Sequence, residues 1–358
     1  MIDYLIVGCG LFGATFARIA TDNGKKCLII DKRPHIGGNC YTSKQHGIDI
    51  HEYGAHIFHT PNEKVWSFIT QFAEFNNYQH KIKASYNGNL FLFPINLFTL
   101  YQLWGVKTPQ EARDKLDSVK ILSDTSNLKG WILNELGKEI YETFFEEYTR
   151  KQWGKDPSEL PSTIAKRLPI RLTFDDNLFP DKYQGIPTDG YTALFTRLLN
   201  GITVELGIDF FSNQKKLSSL AKQIVYTGPI DQLFGYTFGK LEYRSLRFEQ
   251  ETHTGDYQGC SVLNYTDSTA YTRIIEHKHF TIPSGETTII TKEYPSSIGD
   301  PYYPICDKSN NELYHRYKKI CQPNIILGGR LAQYKYLDMH QVIGSAIRIT
   351  NEIFSTSI

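Results

Sequence analysis

MIDYLIVGCGLFGATFARIATDNGKKCLIIDKRPHIGGNC, residues 1–40, decides the reading of the chain. An apolar run from Tyr4 to Val7 leads into Gly8, Gly10 and Gly13, a helix-length segment follows, and a second apolar run from Cys27 to Ile30 ends at Asp31. Strand, tight glycine turn, helix and second strand follow one another at the spacing of a dinucleotide-binding unit. Gly8 allows the turn, Gly10 lets the backbone approach a pyrophosphate, and Gly13 lets helix and strand pack closely. The phosphates then meet the start of the helix at Leu11 and Phe12, where unpaired N–H groups and the helix dipole favour an anion. Asp31 is placed for the ribose hydroxyls of an adenosine. The competing reading is an ordinary glycine turn in an α/β sheet, and the two correctly spaced apolar runs weigh against it. A further pair, Gly37 and Gly38, points to another close approach of backbone to cofactor and favours FAD over NAD. The cofactor contacts expected from this stretch are Gly8, Gly10, Leu11, Phe12, Gly13, Asp31, Lys32, Gly38 and Asn39.

A chain of 358 residues can form about two or three domains around sizeable cores. Its net charge of +1 gives no general attraction to nucleic acid or acidic membrane, so any recognition of a polyanion falls to local arginines. The six cysteines, at 9, 27, 40, 260, 306 and 321, form no CxxC. They read as reduced and structural in a cytoplasmic protein, and no metal site is expected. No run approaches the roughly 20 apolar residues that span a bilayer, and no basic segment followed by an apolar stretch and cleavage site marks a leader. The 23 tyrosines and 21 phenylalanines suit aromatic-lined clefts and large cores equally.

Farther along, Asn62 can cap a helical pattern over 63–75, and 81–93 alternates as two strands around Asn87-Gly88. Helical patterns then cover 97–104, 109–115 and 127–153. In the last of these, Ile140, Phe144 and Tyr148 recur every four residues with Tyr141 and Phe145 beside them, an aromatic stripe that reads first as core. Residues 168–191 are dense in Pro, Gly and Asp and read as a connection. A helix over 192–199 and strands at 203–206 and 223–228 follow, then alternating segments at 243–249, 260–265, 272–277 and 287–291 that predict an antiparallel sheet. The chain closes on a strand at 325–327, the pair Gly328-Gly329 with Arg330, and a helix over 338–349. The fold class is therefore α/β: a discontinuous Rossmann-like FAD-binding domain (1–76, 200–240 and 320–358), an inserted helical domain (97–195), and an antiparallel β-sheet domain (77–96 and 241–319).

The glycine fingerprint, DKRPHIGGN at 31–39, YGAHIFHT at 53–60, YTRKQWG at 148–154, KRLPIR at 166–171, TRIIEHKHF at 272–280 and GGRLAQYKYLDMH at 328–340 together resemble the bacterial UDP-galactopyranose mutases from end to end and in order. The resemblance implies an FAD enzyme, active with reduced flavin, that acts on a small nucleotide-sugar. It would interconvert UDP-galactopyranose and UDP-galactofuranose through attack of flavin N5 on the anomeric carbon, with no net redox. It further implies a homodimer in the cytoplasm supplying galactofuranose to a surface polysaccharide. Arg167 and Arg273 fall on the family's two diphosphate-binding catalytic arginines, whose forked donors can meet phosphate bidentately. Arg150 and Arg171 do not match those positions. Phe144, Tyr148 and Trp153 fall where the family lines the uridine end of the pocket, and Tyr302 or Tyr303, with Tyr336, where tyrosines bond the diphosphate. His59 matches a histidine beside the flavin ring. His56, Arg330, Asp338 and Met339 complete the expected cofactor contacts, and the connection at 173–185 matches the family's mobile lid.

The chain departs from the family pattern at three places: Ala55 replaces a usual proline, Leu178 a tyrosine that reaches the substrate diphosphate, and His340 an aspartate. None touches Arg167 or Arg273, so the reaction type is retained while substrate identity opens. The same machinery could serve dTDP-fucopyranose, a dTDP-amino-deoxysugar or UDP-N-acetylgalactosamine. A flavin amine oxidase or desaturase shares the cofactor domain but has no use for two diphosphate-matched arginines. A binder without turnover is the remaining alternative.

Overall fold

The parallel run of apolar residues at the start of the chain becomes the centre of a five-stranded sheet. Strand Ile2–Val7 pairs in parallel with Cys27–Asp31 on one side and Ala221–Tyr226 on the other, and Thr203–Leu206 and Ile325–Leu327 complete the two edges. Read in chain order, the strands lie 3-2-1-4-5, so the order reverses between the first and fourth strands, where such sheets bind ligands beyond the strand ends. Both faces of a parallel sheet are covered, and Leu5, Ile6, Ile29, Ile30 and Val225 are accordingly fully buried. The structure is a computed structural model and describes residues 2–281 and 285–355.

Helix Leu11–Asp22 covers one face with Phe12, Ala14, Phe16, Ala17 and Ala20, and packs on the last helix, Met339–Ser355. Its start shows why glycine stands at 13: a Cβ there would lie 2.1 Å from the Gly8 carbonyl oxygen. Gly8 itself turns with φ +109°, a conformation side chains rarely adopt. Two small antiparallel pairs extend this unit, Thr42–Gln45 with Ile48–His51 and Phe58–Thr60 with Tyr183–Gly185.

The chain divides into two units, residues 1–77, 181–243 and 300–358 in the first and 78–180 with 244–299 in the second. The helical and antiparallel stretches expected as separate domains thus share one unit. Residues 181–195 instead belong with the parallel sheet, because Tyr183–Gly185 finds its hydrogen-bonding edge at Phe58–Thr60 and helix Gly190–Leu198 comes directly after it. In the second unit the sheet runs Tyr243–Thr254, Thr287–Ser296, Arg273–Glu276, Val262–Tyr265, Ile82–Tyr86 and Asn89–Phe93, antiparallel except where Val262–Tyr265 meets Ile82–Tyr86.

Its helices begin on good caps: Asn96 and Thr108 form capping boxes with Thr99 and Glu111, and Asn127 accepts from the Gly130 N–H. The 127–153 stretch is not one straight helix. Gly137 leaves the helical region at φ 81° and ψ 176°, and Tyr141–Phe145 winds as a π turn before helix Glu146–Trp153. A π turn inserts one residue per turn and rotates the helix beyond it, so Phe144 and Tyr148 do not continue one stripe. Helix Lys308–Lys319, in the first unit, is an element the sequence pattern did not disclose.

Gly13→Ala should force the helix off the glycine turn and destabilise the first unit by about 1–3 kcal/mol. Urea unfolding followed by near-ultraviolet circular dichroism, together with loss of bound flavin on purification, checks this.

Candidate functional site

In the first unit a cavity of about 370 Å³ opens at the point where the strand order reverses, between the ends of Ile2–Val7 and Ala221–Tyr226. Of the residues read as cofactor contacts, Gly8, Gly10, Leu11, Phe12, Gly13, Asp31, Lys32, Gly38, Asn39, His56, Arg330 and Met339 border it, and Asp338 does not. Asp338 instead starts the last helix, its carbonyl accepting from the Gln341 and Val342 N–H groups. The residues fit a dinucleotide. Gly10 places no side chain over the first helical turn, and a Cβ on Gly38 would come within 3.0 Å of the Gly10 Cα, so the two glycine turns face each other across a cradle with no room for side chains. The Asp31 carboxylate braces this turn by accepting from the Cys9 N–H at 2.7 Å and the Arg33 N–H at 2.9 Å.

Thr227, Gly228 and the 208–211 segment also wall the cavity, and no local motif announces them, because they reach it through strand pairing far along the chain. Asp300 is another addition, bonded to Lys32 at 2.7 Å and paired with Arg33 at 3.4 Å. Tyr302, expected to touch substrate, is buried at the cavity wall with its carbonyl accepting from Arg330. Tyr303 and Tyr336 do come together: their rings stack at 5.3 Å, and the Arg330 guanidinium lies 5.2 Å and 5.4 Å from their centroids.

His59 lies on strand Phe58–Thr60, where its Nδ1 is hydrogen-bonded to the Asp181 carboxylate, an acidic partner 122 residues away that sequence reading did not supply. The His340 ring packs edge-on to His59 at 4.9 Å, and its pKa is lowered by burial and by the neighbouring His59. His56 borders the cavity with Nδ1 bonded to the Gly54 carbonyl at 2.7 Å. Its enclosure, opposed by that bond and aided by the Arg330 charge, pushes its pKa down to about 4.

In the second unit Arg273 and Tyr148 are brought together. Arg273 opens strand Arg273–Glu276 and donates from Nη2 to the Tyr148 hydroxyl at 2.5 Å, while its Nε faces the buried Glu293 carboxylate at 3.4 Å. Tyr148 reaches it from the middle of helix Glu146–Trp153, and Trp153 ends that helix before Gly154 turns left-handed at φ 64°. Arg167 stands exposed on the single turn Ala165–Arg167. Phe144 is 2% exposed and packs edge-on against Phe91 at 5.2 Å, so the structure places it in the core rather than on a binding surface. Leu178 donates its N–H to the His80 carbonyl at 2.7 Å and Thr173 accepts from Leu97, so the 173–180 part of the expected lid is bonded within this unit, while 181–185 belongs to the first. Arg150 pairs with Glu146, Glu147 and Asp156 on the surface, and Arg171 bonds the Asn177 carbonyl.

Two family models match: UDP-galactopyranose mutase over residues 143–336, and the NAD(P)-binding Rossmann-like domain over residues 6–72. A probable UDP-galactopyranose mutase from Klebsiella pneumoniae is 41% identical over 99% of this chain and 95% of its own. The chain belongs to the UDP-galactopyranose mutase family. Other members of this family of mutases are nearly as similar: a dTDP-fucopyranose mutase from Escherichia coli is 40% identical over 97% of each chain, and a UDP-galactopyranose mutase from Mycoplasma pneumoniae 33% identical over 96% of this chain and 94% of its own. A crystal structure of reduced UDP-galactopyranose mutase shares the fold, with a TM-score of 0.77 over 100% of this chain and 94% of that one at 12% identity. As members of this family are mutases, the chain is an enzyme of the isomerase class. Among the described residues no helix is long and apolar enough to cross a membrane.

The six cysteines are free, and burial pushes the thiols of Cys9 and Cys40 up to about 12, which leaves both unreactive at neutral pH. Asp256, Glu276 and His279 lie close enough to share an ion, but the Glu276 carboxylate already accepts from the Tyr257 and Gln258 N–H groups and the Thr288 hydroxyl, which makes it a loop anchor.

The His56 shift has a definite sign. Folding favours the neutral ring, so its contribution is complete above the ordinary pKa of 6.5 and is lost as pH falls from there toward about 4. The loss amounts to at most about 3 kcal/mol. Flavin release, followed by fluorescence between those pH values, should be steeper in the wild type than in His56→Asn.

Proposed function

We propose that this chain interconverts UDP-galactopyranose and UDP-galactofuranose with bound FAD in its reduced form. Changing ring size requires the diphosphate to leave the anomeric carbon, to stay nearby, and to return after the sugar ring has reopened and closed through another hydroxyl. Reduced flavin, when bound, supplies a nucleophilic N5 for the anomeric carbon and departs from it again without net electron transfer. The residues that would hold it are the glycine turns at 8–13 and 37–38, with Asp31, Asn39, Arg330 and Met339 along the cavity wall.

The observation that carries the reading is the Arg273–Tyr148 pair. A guanidinium remains charged at any working pH and can offer two parallel N–H groups to phosphate oxygens. Tyr148 fixes one edge of that fork, so Arg273 need not be ordered when the diphosphate arrives, and preorganised charge of this kind stabilises a developing anion at little cost. Arg167 supplies the second cation, and Tyr303 with Tyr336 supplies hydroxyls for the diphosphate. His59 is the side chain placed beside the flavin, its Nδ1 held by the Asp181 carboxylate. Trp153 and Tyr148 are the aromatic surfaces offered to the nucleoside. The enzyme would work in the cytoplasm as a homodimer and supply galactofuranose to a surface polysaccharide.

The near-equal similarity to the dTDP-fucopyranose mutase, together with Leu178, favours a second reading in which the same machinery acts on dTDP-fucopyranose. Anaerobic incubation of dithionite-reduced enzyme with each nucleotide-sugar, read by chromatography against an oxidised control, tests both. Conversion of the UDP-galactose pair in the reduced sample alone supports the first, and conversion confined to the dTDP-sugar supports the second. Conversion by the oxidised enzyme at the same rate would remove the flavin mechanism from either.

Arg167→Ala and Arg273→Ala should each lower turnover by about 100-fold or more while leaving the bound flavin spectrum unchanged. Wild-type turnover in either variant would withdraw that arginine from the diphosphate site.

A further inference from the structure

We propose that Lys151 is a positioning residue for Arg273: its ammonium gathers the turn at 265–271 onto helix Glu146–Trp153 and so delivers the arginine to Tyr148. The inference rests on the reading of Arg273 as a diphosphate-binding group.

Lys151 Nζ donates to the carbonyl oxygens of Tyr265 at 2.8 Å, Thr269 at 2.8 Å and Tyr271 at 3.2 Å. A lysine ammonium has three N–H groups and no acceptor, so this one turn engages its whole donor set. No carboxylate takes part in those bonds. Asp267, within the turn, has its oxygens bonded to the Asn87 and Thr269 N–H groups. Burial of the ammonium among carbonyls lowers its pKa to about 8, which shows how much solvation it has given up. A charged group placed at that cost, and spent entirely on the backbone of one turn, fixes where the turn ends.

The turn ends two residues before Arg273. Tyr148 and Lys151 are three residues apart on one helix and therefore share a face. The same helix face thus holds Arg273 twice, through its side chain at Tyr148 and through its approaching backbone at Lys151. The helix end is itself secured: the buried Arg244 donates to the Gln152 carbonyl at 2.9 Å and the Lys151 carbonyl at 3.1 Å. From Thr272 onward the strand ladder takes over, with Thr272 donating to the Glu293 carbonyl at 2.9 Å and Arg273 registered between Asn264 and Glu293. In the interval before it, Thr266 donates to the Ser85 carbonyl at 2.9 Å and Asp267 accepts from Asn87 on one flank, and Lys151 holds the other flank at Thr269 and Tyr271.

The test is a double-mutant cycle on the flavin-loaded full chain, with the affinity for UDP, and for dTDP in parallel, measured by isothermal titration calorimetry. Lys151→Met should weaken binding of the preferred nucleotide by about tenfold, and Arg273→Ala by at least as much. In the Arg273→Ala background Lys151→Met should have no further effect, because a positioning residue has nothing left to position. Lys151→Arg, which keeps a charged donor, should recover most of the affinity. Undiminished binding by Lys151→Met, or a loss that multiplies with that of Arg273→Ala, overturns the inference and reveals a structural lysine. Undiminished binding by Arg273→Ala overturns the diphosphate reading itself, in an arm that does not involve Lys151. Should Lys151→Met fail to retain flavin, Lys151→Gln replaces it in the cycle with the same expectation.

Discussion

The missing side chain of Gly13 is the constraint from which the first unit is built. With the Gly8 carbonyl 2.1 Å from where a Cβ would stand, helix Leu11–Asp22 can lie against strand Ile2–Val7 only because no carbon intervenes. That contact sets the depth to which Phe16, Ala14, Ala17 and Ala20 sink into the sheet, all of them fully buried. It also aims the uncapped start of the helix at the cavity, so packing and anion recognition arise from one backbone approach. The second glycine turn repeats the economy. Gly38 stands against Gly10, where a Cβ would come within 3.0 Å of the Gly10 Cα.

In the second unit the organising element is a charge held in place by hydrogen bonds. Arg273 stands at the first residue of a central strand, where the ladder fixes its Cα, while Tyr148 and Glu293 fix its guanidinium. The neighbouring Lys151, Arg244 and Glu276 show the same habit: each buried charge spends its donors or acceptors on backbone groups. Such bonds satisfy a desolvated ion without a long opposing side chain and so cost little side-chain entropy. They also tie the loops around Arg273 to the helix and strands beside it.

The parts of the fold written in short-range patterns were legible. Glycine spacing and apolar runs disclosed the parallel sheet; Asn87-Gly88 disclosed the hairpin, now seen as Ile82–Tyr86 and Asn89–Phe93; Asn62 marked the start of helix Glu63–Ile69. The cavity wall at Gly8, Gly10–Gly13, Asp31, Lys32, Gly38 and Asn39 was legible for the same reason, since it falls within 40 residues around one motif. The hidden parts depend on partners distant in sequence. Nothing local shows that Asp181 would meet His59, or that Tyr183–Gly185 would leave the helical stretch to pair with Phe58–Thr60. The π turn at Tyr141–Phe145 was hidden differently: its residues have ordinary helical preferences, and only the packing of Phe144 against Phe91 shows that the helix has changed its winding.

The choice between UDP-galactose and dTDP-fucose turns on where the two differ. On the proposed mechanism both would present the same diphosphate to the arginines and the same anomeric carbon to the flavin, so that machinery would be indifferent to the exchange. They differ in the base, in the 2′-hydroxyl of the nucleoside, and in the hydroxyl on the sixth carbon of the hexose. A site built with a polar group for that hydroxyl rejects the deoxysugar strongly, because the group would be left buried and unpaired, whereas a site without one discriminates against the hydroxyl only weakly. Tolerance of this kind is asymmetric: an enzyme that evolved on the deoxysugar would still turn over the hydroxylated one slowly, while an enzyme tuned to galactose would leave fucose almost untouched. The ratio of the two rates, more than the presence of either, therefore tells which nucleotide-sugar shaped the pocket.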